Sequence, residues 1–188
     1  MDDSDLRFET LNTQVALSTR LFDVCEVQRR GPQGVDSTFI TLRTPDWANV
    51  IAVLPNEAGQ PCFLMVRQYR HGSERLVWEF PGGMVETGED PGLAALRELE
   101  EETGWRAETS RLLGSSNSNP AFLTNHVSTY LAEDLHFTGH HHLDQNEFVR
   151  VGLRPIEEVQ SQMGQGEYDH GIMMMALWWW EHRRPDKV

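Results

Sequence analysis

Short runs in which hydrophobic and polar residues alternate occur throughout the chain, and this pattern predicts many strands and few helices. In the N-terminal part, alternating runs at Leu21–Val27 and Thr38–Leu42 are separated by the turn residues Gly31–Gly34. This arrangement predicts a β-hairpin. The first dozen residues are acidic and show no such pattern, so we expect a frayed lead-in there.

Apolar runs in the rest of the chain predict further strands, because they are short and separated by turn residues. They are Val50–Leu54, Cys62–Val66, Val77–Phe80, Arg106–Leu113, Val127–Ala132 and Phe148–Leu153. Helices are predicted at residues 90–104, 155–163 and 171–181. The succession predicts an α/β (α+β) fold in which a mixed β-sheet is sandwiched between helices, with a small antiparallel β-sheet at the N-terminus.

Composition and charge limit the functions that this fold can serve. The 188 residues carry a formal net charge of −13, which argues against nucleic acid or an anionic membrane as partner. No apolar run approaches the ~18 residues of a membrane span. Cys25 and Cys62 are in no CxxC pair, and the first residues do not resemble a signal peptide, so we expect a cytoplasmic protein.

The predicted central helix has clear end signals. Asp90 is a favourable N-cap, Pro91 suits the first helical position, and Gly104 suits the position after the last turn.

The leucines of this helix fall on one side at 100° per residue, and three glutamates fall on the other. The leucines are Leu93, Leu96 and Leu99, and the glutamates are Glu98, Glu101 and Glu102. Glu100 falls on the leucine side, which we expect to face the core, while the small Ala94 and Ala95 leave room above the acidic face. Like charges at these spacings destabilise a helix. The carboxylates therefore favour a site for a hard divalent cation, Mg²⁺ or Mn²⁺, over a solvated acidic face.

Residues Gly83–Trp105 resemble the signature of the Nudix hydrolases, G-x5-E-x7-R-E-U-x-E-E-x-G-U, in which U is a bulky apolar residue. The fixed positions are filled by Gly83, Glu89, Arg97, Glu98, Glu101, Glu102 and Gly104. The one mild departure is Trp105, where an aliphatic residue is commoner. The resemblance implies the Nudix fold and metal-dependent hydrolysis of a pyrophosphate linkage in a nucleoside diphosphate joined to a further group.

The same resemblance implies roles for individual residues. The metal ligands would be the Gly82 carbonyl and the carboxylates of Glu98, Glu101 and Glu102. Glu89 and Arg97 resemble the pair that braces the preceding loop against the helix, and Arg97 would act in the catalytic centre. Gly83 and Gly104, like Glu89, would be structural members of the motif.

The flanking residues narrow the resemblance to the ADP-ribose and nucleotide-sugar pyrophosphatases. Arg67–Arg70 and Trp78–Gly83 are similar to segments of that subfamily, and Pro120 lies 16 positions after Gly104, where the subfamily has a proline. Arg70 and Glu79 would then bind the substrate. Phe39 would stack on the base, or else be a core residue.

The subfamily also implies a general base and an oligomer. Glu147, in the acidic loop Asp144–Phe148, fits the position of the base, and Glu101 is the alternative. Residues 1–45 would form a β-strand subdomain that makes a homodimer, and residues 46–188 the hydrolase domain.

Two other functions remain open at this point. A MutT-like nucleoside triphosphate hydrolase would usually lack the N-terminal strands and Pro120. A non-catalytic domain that senses ADP-ribose often loses glutamates of the motif, whereas this chain keeps them. The histidines within His136–His142 favour a solvated loop over a zinc site. Trp178–Trp180 cannot share one helix face, so at least one of these tryptophans should be exposed or lie in an interface.

Overall fold

The computed structural model describes residues 3–143 and 148–183, and the contacts between residues divide the chain into two compact units. The first unit runs to Pro45 and also contains Asn117–His126. The second contains Asp46–Ser116 and the chain from Val127 onward.

The first unit is built on a three-stranded antiparallel sheet in the order β1-β2-β3. The strands are β1 (Glu9–Ser18), β2 (Asp23–Arg30) and β3 (Asp36–Arg43), preceded by a 3-10 turn at Ser4–Leu6. Strands β2 and β3 confirm the predicted hairpin. The expectation of a frayed lead-in is wrong, because β1 pairs along the whole of β2. The pairing contains register shifts between Thr10 and Asn12 and between Val15 and Leu17.

The segment Asn117–His126 joins the first unit through the main chain of β3. Leu42 N donates a hydrogen bond to Phe122 O at 2.7 Å, and Thr124 N donates one to Leu42 O at 3.2 Å. These bonds flank a parallel bridge between Leu42 and Leu123. Main-chain atoms of residues 82 positions apart, Leu42 and Thr124, are thereby held together.

The second unit contains two sheets, with strand orders β8-β4-β10-β9 and β11-β6-β5, and β7 pairs with β6. The strands are β4 (Trp47–Ile51), β5 (Val53–Pro55), β6 (Pro61–Arg70), β7 (Arg75–Glu79), β8 (Gly82–Met84), β9 (Trp105–Asn117), β10 (His126–Phe137) and β11 (Val149–Pro155). The single strand predicted at Val50–Leu54 divides at Ala52, and its two halves enter different sheets. Strand β4 is parallel to β10 and antiparallel to β8, so the sheet is mixed.

Helices α1 (Pro91–Thr103), α2 (Ile156–Gln162) and α3 (Gly171–Arg183) complete the second unit. The neighbours Val50 and Ile51 point to opposite sides of β4 and join different hydrophobic clusters, one containing Leu99 of α1 and the other Trp180 of α3. The structure therefore confirms the predicted mixed sheet between helices. Among the described residues, none of these helices is long and apolar enough to cross a membrane.

Candidate active site

Helix α1 begins and ends where its capping residues predict. The Asp90 carboxylate accepts hydrogen bonds from Gly92 N at 2.8 Å and Leu93 N at 3.2 Å. Gly104 adopts the left-handed conformation with φ 71°, and its N–H bonds to Glu100 O. The helix is thus fixed at both ends by local chemistry.

The buried face of α1 differs from the predicted leucine stripe. Leu93 is 62% exposed, whereas Ala94, Ala95 and Leu99 are fully buried. The two alanines do not leave room above an acidic face: their small side chains let the helix pack closely on the sheet. As a result Glu102, which lies in the middle of the buried face, is only 1% exposed.

Arg97 connects three of the four motif glutamates. Its Nε and Nη2 donate to the two carboxylate oxygens of Glu89 at 3.0 and 3.1 Å. Its Nη1 donates to Glu98 Oε1 and to Glu101 Oε2, each at 2.9 Å. The bond to Arg97 lowers the pKa of Glu89, and the bond to Glu89 is the main cause that raises the pKa of Arg97. Both groups are therefore charged at neutral pH.

Strand β8, which precedes α1, brings its backbone against this cluster. Gly82 N donates a hydrogen bond to Glu102 Oε2 at 3.0 Å. A Cβ at Gly83 would lie 2.4 Å from Glu98 Oε1, so the Glu98 carboxylate rests directly on the backbone of this glycine. Only glycine permits such an approach. The pairing of β8 with β4 holds Gly82 and Gly83 in place.

The donor groups fit a hard divalent cation in kind. Glu98, Glu101 and Glu102 supply carboxylate oxygens, which are the ligands that Mg²⁺ and Mn²⁺ prefer. In residues 3–143 and 148–183, however, no three His, Cys, Asp or Glu side chains already stand in an arrangement that could hold a metal ion. Glu98 and Glu101 share a nitrogen of Arg97 instead, each through one carboxylate oxygen.

A second ion pair joins two residues that precede the motif in the sequence, Arg70 and Glu79. Arg70 on β6 donates through Nε to Glu79 Oε1 at 2.7 Å and through Nη2 to the other carboxylate oxygen. Glu79 is 2% exposed, whereas the Arg70 side chain is 43% exposed. A buried carboxylate requires such a partner. Glu79 thus anchors Arg70, whose outer part remains accessible.

Two further site residues were predicted, Phe39 and Glu147. Phe39, on β3 of the first unit, is 40% exposed and meets Phe8 edge to face with ring centroids 5.5 Å apart, so it is not a core residue. Glu147 lies outside the described residues.

The histidine-containing loop packs on the end of α1, which no sequence signal indicated. Thr138 N and Gly139 N donate to Gly104 O, and His142 N donates to Glu101 O at 3.1 Å. These bonds satisfy carbonyls at the end of the helix. A cavity of about 430 Å³ lies between the loop and the helix, lined by Arg97, Glu100, Glu101, Arg106, His140 and His142. His140 and His142 are exposed, and the loop is anchored through its backbone and the Thr138 hydroxyl.

The tryptophans of α3 differ in exposure, as the sequence predicts. Trp180 is buried in the core, while Trp178 is about half exposed and stacks on His182 at 4.5 Å between centroids. Gly114 accommodates the third, since a Cβ there would lie 2.4 Å from a ring carbon of Trp179. The three tryptophans thus contribute to packing.

Comparison with known proteins identifies the family. Residues 45–175 match the NUDIX domain. The chain is 33% identical over 154 residues to the ADP-ribose pyrophosphatase of Bacillus subtilis (strain 168), with 81% of each chain covered. It is 31% identical over 176 residues to the ADP-ribose pyrophosphatase of Mycobacterium tuberculosis, covering 90% of this chain and 81% of that protein. A crystal structure of an ADP compounds hydrolase superposes with a TM-score of 0.77 at 23% identity, covering 94% of both chains. The chain therefore belongs to the NUDIX family.

Proposed function

We propose that this protein hydrolyses the pyrophosphate bond of ADP-ribose or a related nucleoside diphosphate sugar, giving a nucleoside monophosphate and a sugar phosphate. The observation that carries the proposal is the cluster of motif carboxylates that contact Arg97 and the backbone of Gly82 and Gly83. Relatives named ADP-ribose pyrophosphatase, similar over more than 80% of their length, support the choice of substrate.

NUDIX hydrolases generally use a divalent metal ion, and we propose Mg²⁺, with Mn²⁺ as the alternative. The Gly82 carbonyl and the carboxylates of Glu98, Glu101 and Glu102 would hold it. When bound, the ion would polarise the pyrophosphate and lower the pKa of a coordinated water. Arg97 would orient the carboxylates, since Glu89 fixes its guanidinium by two parallel hydrogen bonds.

The general base is proposed to be Glu147 or Glu101. Replacing each with glutamine separates the two roles. Loss of the base should lower kcat while the affinity for Mn²⁺, measured by calorimetry, stays unchanged. Loss of a ligand should weaken Mn²⁺ binding as well.

Arg70 is proposed to contact the diphosphate or the terminal ribose, and Glu79 to hold Arg70 in position. The exposed part of the guanidinium supports this role, because it is directed by a buried carboxylate that cannot move freely. Phe39 is proposed to stack on the base. Its exposed ring, supported at the edge by Phe8, is compatible with that task.

A substrate panel tests the proposed function. The pure protein is incubated with Mg²⁺ and, separately, ADP-ribose, ADP-glucose, GDP-mannose, NADH, diadenosine polyphosphates and dGTP, and the products are identified by mass spectrometry. AMP and ribose phosphate from ADP-ribose are the expected result. Equal or faster hydrolysis of dGTP would instead indicate a MutT-like enzyme. Binding of ADP-ribose without hydrolysis of any compound would indicate a sensor.

Glu102→Gln tests the proposed metal site. The substitution keeps the shape of the buried side chain but removes its charge, so kcat should fall about a hundredfold or more while the melting temperature is retained. Glu100→Gln is the matched control, because Glu100 lies on the same helix and bonds to Thr138 rather than to Gly82. It should change kcat by less than about twofold. Full activity of Glu102→Gln would disprove the assignment.

We further propose that residues 1–45 form a homodimer. Every residue of β1 is exposed in a single chain, including Leu11, Val15 and Leu17. Exposed apolar residues in such a group commonly mark a protein interface. A second copy of this chain is the proposed partner.

A cytoplasmic location is also proposed. The free state of Cys25 and Cys62 supports it, because both thiols are buried and unpaired by disulfide, as is usual in a reducing compartment.

A further inference from the structure

Two residues, Phe80 and Pro81, connect β7 to β8. Strand β7 ends at Glu79 and pairs with β6, whereas β8 begins at Gly82 and pairs with β4 in the other sheet of the second unit. This connection, the crossing, therefore passes from one sheet to the other. It also joins Glu79, which anchors Arg70, to Gly82, the proposed metal ligand.

The main-chain N–H of Phe80 is bound by a side chain of helix α3. Phe80 lies beyond the last pair of β7 with β6 and before the first pair of β8 with β4. Its N–H donates to Met173 Sδ at 2.9 Å. Phe80 is 2% and Met173 3% exposed, so water cannot take the place of the sulfur as acceptor. A buried main-chain N–H requires a partner, and here the thioether supplies it.

The rest of the crossing has little conformational freedom. Val50 N donates to Pro81 O at 2.9 Å, which ties this end of the crossing to β4. The proline ring fixes φ of Pro81 and restricts the backbone of Phe80 before it. The bond to Met173 adds a fixed point at the other end. A shift of Phe80 N is therefore passed on to Gly82, because little freedom remains to absorb it.

The same bond orients Glu79. The N–H of Phe80 and the carbonyl of Glu79 belong to one planar peptide group. A fixed peptide plane limits the direction in which the Glu79 side chain leaves the main chain. Both carboxylate oxygens of that side chain receive nitrogens of Arg70. The thioether thus acts on the substrate side of the crossing as well as on the metal side.

We propose that Met173 is a positioning residue, whose thioether fixes the crossing so that Glu79 can direct Arg70 and Gly82 can serve as a metal ligand. This inference rests on the proposed function, in which Arg70 contacts the substrate and the Gly82 carbonyl the ion. Packing alone does not need the sulfur, because a leucine has a similar apolar volume but cannot accept a hydrogen bond.

The test is Met173→Leu, which removes the acceptor for Phe80 N and keeps the apolar volume. KM for ADP-ribose should rise about fivefold, while kcat at saturating Mg²⁺ stays within about twofold of the wild type. Mn²⁺, titrated by calorimetry without substrate, should bind about tenfold more weakly. A variant that is less stable but unchanged in KM and in Mn²⁺ affinity would overturn the proposal, because the bond would then serve stability alone.

Met65→Leu is the matched control. Met65 is fully buried in the same hydrophobic cluster as Met173, and in residues 3–143 and 148–183 no hydrogen bond reaches its sulfur. The substitution makes the same chemical change in the same core, so KM and Mn²⁺ affinity should each change by less than about twofold. Equal losses in the two leucine variants would overturn the inference, because they would follow from repacking of the core.

A second measurement uses the wild type alone and does not depend on the folding of a variant. Because Phe80 lies between the two sites, its amide resonance should move in NMR spectra when Mg²⁺ or ADP-ribose is added separately. An amide that responds to neither would overturn the inference. A wild type that neither binds nor hydrolyses ADP-ribose would overturn the proposed function instead, while the Mn²⁺ affinity of Met173→Leu would still decide the metal side of the inference.

Discussion

A methyl group at Gly82 would lie 2.3 Å from the carbonyl oxygen of Ala48, and one at Gly83 would lie 2.4 Å from Glu98 Oε1. The first obstacle is the backbone of β4, the central strand next to β8. The second is the end of a side chain that can rotate. A side chain would therefore be obstructed by different groups at the two adjacent glycines, by the backbone of β4 at Gly82 and by the Glu98 carboxylate at Gly83.

This difference gives a prediction for two alanine variants. Gly82→Ala should lower the free energy of unfolding by about 1–3 kcal/mol, because strands β4 and β8 must separate. Gly83→Ala should change it by less than about 1 kcal/mol but lower kcat/KM at least about tenfold, because the methyl group displaces Glu98. Urea denaturation and steady-state kinetics measure the two effects. Equal stability loss in both variants would contradict the distinction.

The stability of the protein should also depend on pH through His170. Burial lowers its pKa in the folded protein from 6.5, so the unfolded chain takes up the proton first as the pH falls. The stabilisation associated with the neutral ring is complete above pH 6.5 and decreases as the pH falls below that value. Urea midpoints should therefore fall more steeply below about pH 6.5 for the wild type than for His170→Gln. Parallel curves would show that this histidine titrates alike in both states.

At the level of single residues, the motif was more informative than the helix geometry. The resemblance to the Nudix signature implied contact between Glu89 and Arg97, and the structure contains that contact. The bonds from Arg97 to Glu98 and Glu101 depend on side-chain rotamers, which no spacing specifies. His170 belongs to no motif, because the charges of Arg70 and Glu79, which act on its pKa in the folded chain, lie about a hundred positions away in the sequence.

Among the elements, α1 shows what a sequence can and cannot specify. Its ends were predictable because capping is a local interaction between residues two to four positions apart. Its buried face was not, because helical angles order the side chains around the axis without saying which side meets the sheet. The face that packs on the sheet carries Ala94 and Ala95, whereas Leu93 lies on the exposed side.

The cap of α1 can be tested directly. Asp90→Ala should destabilise the protein by about 1 kcal/mol, because Gly92 N and Leu93 N lose their acceptor. Asp90→Asn keeps an acceptor oxygen and should stay within about 0.5 kcal/mol of the wild type. Chemical denaturation of both variants is the measurement. A large loss with asparagine would mean that charge, and not the hydrogen bonds, is what matters at this position.

Strand β1 was missed for a different reason. Its apolar residues, Leu11, Val15 and Leu17, stand at alternate positions, but the polar Thr13 among them and the apolar Ala16 on the other face weaken the contrast between the two faces. All of them are exposed in the single chain, so no burial pattern marks the strand. Its partner β2 was predictable because Cys25 and Val27 alternate with polar residues and are buried.

For the whole molecule, the net charge opposes association of two copies, whereas the exposed apolar surface favours it. Two copies that each carry a net charge of −13 repel one another. A homodimer must then be held by apolar contacts, and salt should strengthen it by screening the repulsion.

The proposed homodimer can be tested on this basis. Light scattering after size exclusion should give twice the chain mass for the wild type, with a tighter dimer at high salt. Val15→Asp combined with Leu17→Asp should give monomers, because it places charges among the exposed apolar residues of β1. Leu93→Asp is the control, since Leu93 is also exposed but lies on α1 of the second unit. A monomeric wild type, or an unaffected double variant, would refute the interface.

The bridge between Leu42 and Leu123 bears on how this protein could be cut or recombined. The unit that begins the chain is not a genetic module, because one of its pieces is encoded in the connection between β9 and β10. A gene truncated after codon 45 would encode β3 without the segment Asn117–His126 that bonds to it, and a gene lacking the first 45 codons would encode that segment without β3. Exchange of this unit between related genes requires two crossovers that carry both pieces together. Changes in residues 1–45 are thus expected to be inherited with matching changes in the distant loop.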